Sequence, residues 1–221
     1  MTDQTNASRN VASLAIVFEG GLIVLALAIA WWSGRPPLPG VEWTWRAWPA
    51  GVAALSWGLV ATVPMLLGLV VLDRHPVGPF AQLQRLVEYR LAPLFAGMTV
   101  LEMAAISLAA GFGEEMLFRG LLQVAVRDWV GAPHGVWSGL VIAALAFGAC
   151  HWVTRTYAVL AALMGLYFGI LLIATDNLLT PIVAHALYDF FALLYLVRWK
   201  HREPEPKACE DTQPEDDVPD D

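Results

Sequence analysis

The stretch VASLAIVFEGGLIVLALAIAWW, Val11–Trp32, carries a single ionisable residue, Glu19, in a run long enough to cross the hydrocarbon core of a bilayer. A spanning helix needs roughly 20 mostly apolar residues, because lipid offers no partner to an open backbone N–H or C=O. The run is too long for a cleaved signal, and Trp31-Trp32-Ser33-Gly34-Arg35 is a poor small-residue cleavage site, so it reads as a signal anchor. Working outward, the same reading applies to Trp48–Leu72 (kinked at Pro64), Leu91–Ala110, Val136–Val153, Tyr157–Thr175 and Thr180–Trp199. Between them, Asp73–Arg90 is polar, with Phe80, Leu83, Leu86 and Val87 at helical spacing, the pattern of a helix on the membrane surface. Glu114–Trp129 is helical in pattern but too polar to face lipid, and is expected to dip into the bilayer inside the bundle. The expected fold is all-α, a polytopic transmembrane bundle of roughly six to seven membrane helices.

Composition agrees. The 221 residues are 57% hydrophobic and 15% charged, with a mean hydropathy of +0.56, too little charge for a chain whose whole surface meets water. The net charge of −7 is concentrated: Glu203–Asp221 holds nine acids and one base, and the rest of the chain is close to neutral. The expected organisation is residues 1–90 as two membrane helices and a surface segment, 91–199 as the functional helical core, and 200–221 as a disordered acidic tail. No basic stripe marks a nucleic-acid partner. Cys150 and Cys209 make no disulfide framework, and Cys150 reads as a small buried residue. Trp31, Trp32, Trp43, Trp45, Trp48, Trp129, Trp137 and Trp199 fall at span ends, where amphipathic rings favour the headgroup region. With six crossings, nine Lys and Arg residues lie on one side and four on the other, which places both termini in the cytoplasm.

Charges at membrane depth cost roughly 2.5–3.5 kcal/mol each on insertion scales, so each needs a partner or a task. In Gly113-Glu114-Glu115-Met116-Leu117-Phe118-Arg119-Gly120, Glu115 and Arg119 are four apart and can pair along one helix face. Glu114 is rotated off that face, without a partner in its own helix, and suits a general base. His151 ends Phe147-Gly148-Ala149-Cys150-His151, and taken alone reads as an interfacial or core histidine. In His185-Ala186-Leu187-Tyr188-Asp189 the imidazole and carboxylate are four apart and can converge on one point, to orient each other, to bind a metal or to bond across the bundle. Two histidines and an unpaired glutamate in apolar helices are the ingredients for activating water, and H-E-x-x-H, G-x-S-x-G and Walker patterns are absent.

Taken in order, Glu114-Glu115…Arg119, Phe147…His151 and His185…Asp189 resemble the E-E-x-x-x-R, F-x-x-x-H and H-x-x-x-N/D motifs of the CAAX protease and bacteriocin-processing family, the type II CAAX prenyl endopeptidase-like or Abi group. The resemblance spans Leu91–Trp199. It implies an intramembrane endopeptidase acting on a peptide or protein substrate in or at the bilayer of a prokaryotic inner membrane. Glu114 and His151 would activate water, His185 and Asp189 would position it or stabilise the oxyanion, and Glu115, Arg119 and Phe147 would support the site. Members have been described as metalloproteases, while the family's structural picture favours a glutamate-dependent mechanism. No cofactor is then required, although Glu114, His151, His185 and Asp189 are all acceptable zinc ligands. This chain has Asp189 where the best-studied members carry Asn; an ionised Asp repels an oxyanion, so its alternatives are a protonated acid, an orienting group for His185 or a metal ligand.

Two other functions fit parts of the sequence. One is a non-catalytic bacteriocin-immunity or scaffold protein on the same fold. The other is a small transporter relaying protons through Glu19, Glu102 and Glu114, against which Glu102 lies about 120° in azimuth from Glu114 on a continuous helix. Glu19 and Glu102 are therefore read as structural, Glu19 near the interface or paired locally.

Overall fold

The computed structural model describes residues 2–42 and 44–199. The expected acidic tail with Cys209, and Trp43, lie outside the described residues, as does the Trp199 side chain. Helices and short turns account for the described residues, with no strand among them. Helix α1 is Thr2–Ser33, α2 is Trp48–Arg74, α3 is Pro79–Leu86 and α4 is Ala92–Phe95. Then come α5 (Val100–Glu115), α6 (Val124–Val130), α7 (Gly135–Cys150), α8 (Arg155–Thr175) and α9 (Leu179–Leu194).

Four helices are long and apolar enough to cross a bilayer alone: Asn10–Ser33, Trp45–Arg74, α8 and Leu179–Arg198. A bent pair, Pro79–Phe95 with Val100–Val130, supplies a fifth candidate. The apolar α7 has 16 residues, which at about 1.5 Å per residue falls short of a core about 30 Å thick. The bundle is apolar outside and holds a set of polar and charged groups within a largely apolar interior. Large side chains such as Leu14, Phe18, Trp57, Leu59 and Leu163 are exposed, while Glu114, Glu115, Arg119, Gln123, Thr180 and His185 are buried. Trp31, Trp32, Trp45, Trp48, Trp129 and Trp137 are exposed at helix ends. Pro79–Leu86 is helical with one-sided burial, as its spacing predicts: Phe80, Leu83, Leu86 and Val87 are half-buried, while Gln82 and Arg85 face outward.

The third span differs from the sequence reading. Leu91–Ala110 is not one helix. It is interrupted between Phe95 and Val100, where the axis turns by 114°. Thr99 starts the new helix with a capping box: its hydroxyl accepts from the Glu102 N–H, and the Glu102 carboxylate accepts from the Thr99 N–H at 2.8 Å. Glu102 is thus held at a helix start, which removes it from any proton path through the bundle. Thr99→Ala is expected to cost about 1 kcal/mol, seen as faster amide exchange at Leu101 and Glu102 with the rest of the bundle unchanged.

From Val100 the chain stays helical to Val130, so the predicted third span and the predicted Glu114 helix are one rod. Gly111 and Gly113, in the short stretch between those two predicted segments, are approach points. A Cβ at 111 would lie 2.9 Å from the Ala186 Cβ on α9, and one at 113 would lie 3.0 Å from the Glu19 carbonyl oxygen on α1. Beyond Glu115 the rod widens into π-helical turns over Met116–Gln123, a local geometry that often accompanies functional sites. At the far end, the α1–α2 connection is strapped to the α8–α9 turn. Asn177 Nδ2 donates to the Gly40 carbonyl at 2.9 Å, and Gly40 takes φ +74 where a Cβ would run into the Asp176 backbone.

Candidate active site

Three elements deliver the polar residues to one level of the bundle. The α5 rod brings Glu114 and Glu115 at its last α-helical turn and Arg119 from the π-helical turns after it. The end of α7 brings Phe147 and, as its C-terminal cap, His151. Helix α9 brings His185 and Asp189 on one face.

At the centre, Glu114 Oε1 lies 3.7 Å from His151 Nε2, and Glu114 Oε2 lies 3.9 Å from His185 Nε2. Neither is a direct hydrogen bond; both are spacings that a bridging water closes. Glu114 Oε2 has no hydrogen-bond partner among the described residues. The opposite nitrogen of each imidazole is anchored. His151 Nδ1 donates to the Phe147 carbonyl at 2.8 Å, and His185 Nδ1 donates to Glu115 Oε1 at 2.8 Å. Each anchor fixes the ring orientation and leaves Nε2 facing Glu114. His185 Nε2 also stands 3.3 Å from Asp189 Oδ2.

Beneath this level sits a fully buried ion pair. Arg119 Nη1 donates to Glu115 Oε1 at 2.9 Å, with both side chains 0% exposed. The Arg119 guanidinium carbon lies 4.3 Å over the Phe147 ring and 5.2 Å over that of Phe168. Phe168 in turn stacks on His185 at 4.8 Å and 14°. Gly165 makes room here, since a Cβ there would lie 3.3 Å from Arg119 Nη2. Exposure rises outward, from 5% for the His185 side chain and 10% for Glu114 to 25% for His151 and 30% for Asp189. His151 and Asp189 are thus the partly exposed members of the cluster. A carboxylate flanked by two oriented imidazoles can hold a water molecule and take its proton.

Two further residues border the cluster. Glu19, read from sequence as near the interface or paired locally, comes from α1 and lies within electrostatic range of Glu114, Asp189, His185 and His151; its Oε2 is buried without a hydrogen-bond partner among the described residues. Tyr157, in the first turn of α8, places its ring 6.1 Å from that of His151. Local spacing carried no signal for either. Cys150 is exposed, not buried, because it lies on the outer face of the last turn of α7. Among the described residues, no group of three or more His, Cys, Asp or Glu side chains is arranged to hold a metal ion. The Glu114 and Asp189 oxygens approach the same His185 Nε2, so these donors face one another more than a common centre.

The fold is that of an integral membrane helical bundle, with a cluster of Glu and His side chains buried inside it. Residues 96–191 match the family described as Type II CAAX prenyl endopeptidase Rce1-like, a similarity that covers somewhat under half of the chain. No curated protein and no solved structure matches the chain.

Proposed function

We propose that this protein is an intramembrane endopeptidase that hydrolyses peptide bonds of membrane-associated substrates with a water activated by Glu114 and His151. The observation that carries the reading is the position of the Glu114 carboxylate, 3.7 Å and 3.9 Å from the Nε2 atoms of two anchored histidines. His151 donates through Nδ1, so its Nε2 is an acceptor; a water between it and Glu114 donates one proton to each and turns a lone pair toward a substrate carbonyl. Glu114 takes the proton as oxygen bonds to the carbonyl carbon. The tetrahedral intermediate collapses with cleavage of the C–N bond, and Glu114 returns the proton to the leaving amine. His185, oriented by Glu115, positions the water, and Asp189 orients His185 from the open side.

Residues 91–199 act as the catalytic unit in this reading, and with an even number of crossings the excess of Lys and Arg on one side puts both termini in the cytoplasm. The experiment is cleavage of a quenched-fluorescent peptide library by the purified protein in detergent, with and without a chelator. Wild type cleaves and His185→Ala does not; cleavage retained in His185→Ala removes the assigned site. Activity that survives exhaustive chelation assigns water activation to Glu114 and the histidines, and loss restored by zinc assigns it to a metal they hold.

A further inference from the structure

The proposed reaction needs a hydrogen-bond donor for the oxyanion, and the residues at the cluster are short of one. Glu114 and Asp189 are acceptors when ionised. His185 Nδ1–H is committed to Glu115 and its Nε2 stands against Asp189 Oδ2 at 3.3 Å, His151 Nδ1–H is committed to the Phe147 carbonyl, and Arg119 is buried on Glu115 between aromatic rings. The chemistry that is missing is a neutral donor at the open side of Glu114, near the imidazole that holds the water.

Tyr157 has that position. The α7 helix ends at Cys150, His151 caps it, and Thr154 caps the start of α8 by accepting from the Tyr157 N–H at 3.1 Å. This short connection sets the Tyr157 ring against His151 in a T-shaped contact at 6.1 Å and 63°. The phenol lies within electrostatic range of both Asp189 and Glu114, and Tyr157 is half-buried. No hydrogen bond ties its hydroxyl elsewhere among the described residues. Tyr188, beside Asp189 on α9, is the rival, within electrostatic range of Asp189 and Tyr157.

We propose that the Tyr157 hydroxyl donates to the tetrahedral oxyanion, making Tyr157 a further catalytic residue of the peptidase reaction. The proposal rests on the peptidase reading. It also accounts for Asp189: a carboxylate beside His185 can keep its orienting role when the donor comes from α8. No bond is made or broken at Tyr157, which holds its own proton throughout.

The test is Tyr157→Phe, which keeps the ring on His151 and removes only the donor. For the best-cleaved library peptide, kcat is expected to fall about 10²-fold with KM little changed, as for loss of one oxyanion donor. Affinity for a phosphonamidate analogue of that peptide, a tetrahedral anionic mimic, falls by a similar factor, while affinity for the uncleaved peptide on a Glu114→Gln background does not change. Thermal unfolding alongside wild type identifies misfolding, and phosphonamidate binding by the folded fraction then decides. Unchanged kcat and phosphonamidate affinity in Tyr157→Phe overturn the proposal, and so does a loss confined to KM or a loss found in Tyr188→Phe instead. If wild type cleaves nothing, the peptidase reading itself falls; if Glu114→Gln abolishes cleavage and Tyr157→Phe does not, only the assignment of Tyr157 falls.

Discussion

Glu114→Gln is expected to lower kcat by about 10³-fold, within the 10²–10⁴-fold that a positioned general base contributes, without weakening the bundle. The two expectations follow from one observation. Glu114 is buried, yet its carboxylate makes no direct hydrogen bond to either neighbouring histidine, and its Oε2 has no partner among the described residues. An amide of the same shape therefore breaks no direct hydrogen bond to either histidine and removes a charge from a poorly solvated place. The thermal midpoint in detergent should stay level or rise. Chemistry suffers because an amide cannot accept the proton of the attacking water. Substrate binding should be retained, so the inactive variant holds peptide with wild-type affinity. An active Glu114→Gln ends the general-base assignment, and an inactive one that has also lost stability points to a structural role.

Adjacent carboxylates thus have opposite uses, and only part of this is legible in the sequence. The spacing Glu115–Arg119 predicts their pair, and the rotation of Glu114 off that face predicts its lack of a partner in the same helix. The apolar runs predict an all-α membrane bundle, which the architecture bears out. What spacing cannot carry is the meeting of residues far apart in the chain. Glu115 bonds to His185 across the bundle, so one oxygen serves two partners, and Arg119 lies between Phe147 and Phe168 from two further helices. Glu19 reaches the cluster from α1 because Gly113 lets the two backbones come close, a tertiary cause with no periodic signature. The missed helix start had a local signature, Thr99-Val100-Leu101-Glu102, the capping-box pattern. The apolar run from Leu91 to Ala110 masked it.

The Arg119–Glu115 pair carries the second large expectation, on stability. Arg119→Met should destabilise the protein by about 3–5 kcal/mol, the cost of leaving a buried charge without its partner. The loss includes guanidinium contacts over Phe147 and Phe168, each worth up to about 2 kcal/mol when desolvated. Removing both charges separates fold from function. In Glu115→Leu/Arg119→Met no uncompensated ion remains, and buried pairs replaced by apolar groups of similar volume are often neutral or better. The double variant should recover much of the stability that Arg119→Met loses, short of wild type by the Nδ1–H of His185 that no longer has an acceptor, about 1–3 kcal/mol. Activity should not recover with it. Without Glu115 the His185 ring is free to turn away from Glu114, and loss of such an orienting partner typically costs about 10–100-fold. Unfolding curves and kcat for wild type, the single and the double variant therefore give two different rankings. A double variant no more stable than Arg119→Met would show that the aromatic contacts, not the charge pair, hold this layer together. Recovery of full activity would show that His185 is oriented by Asp189 alone.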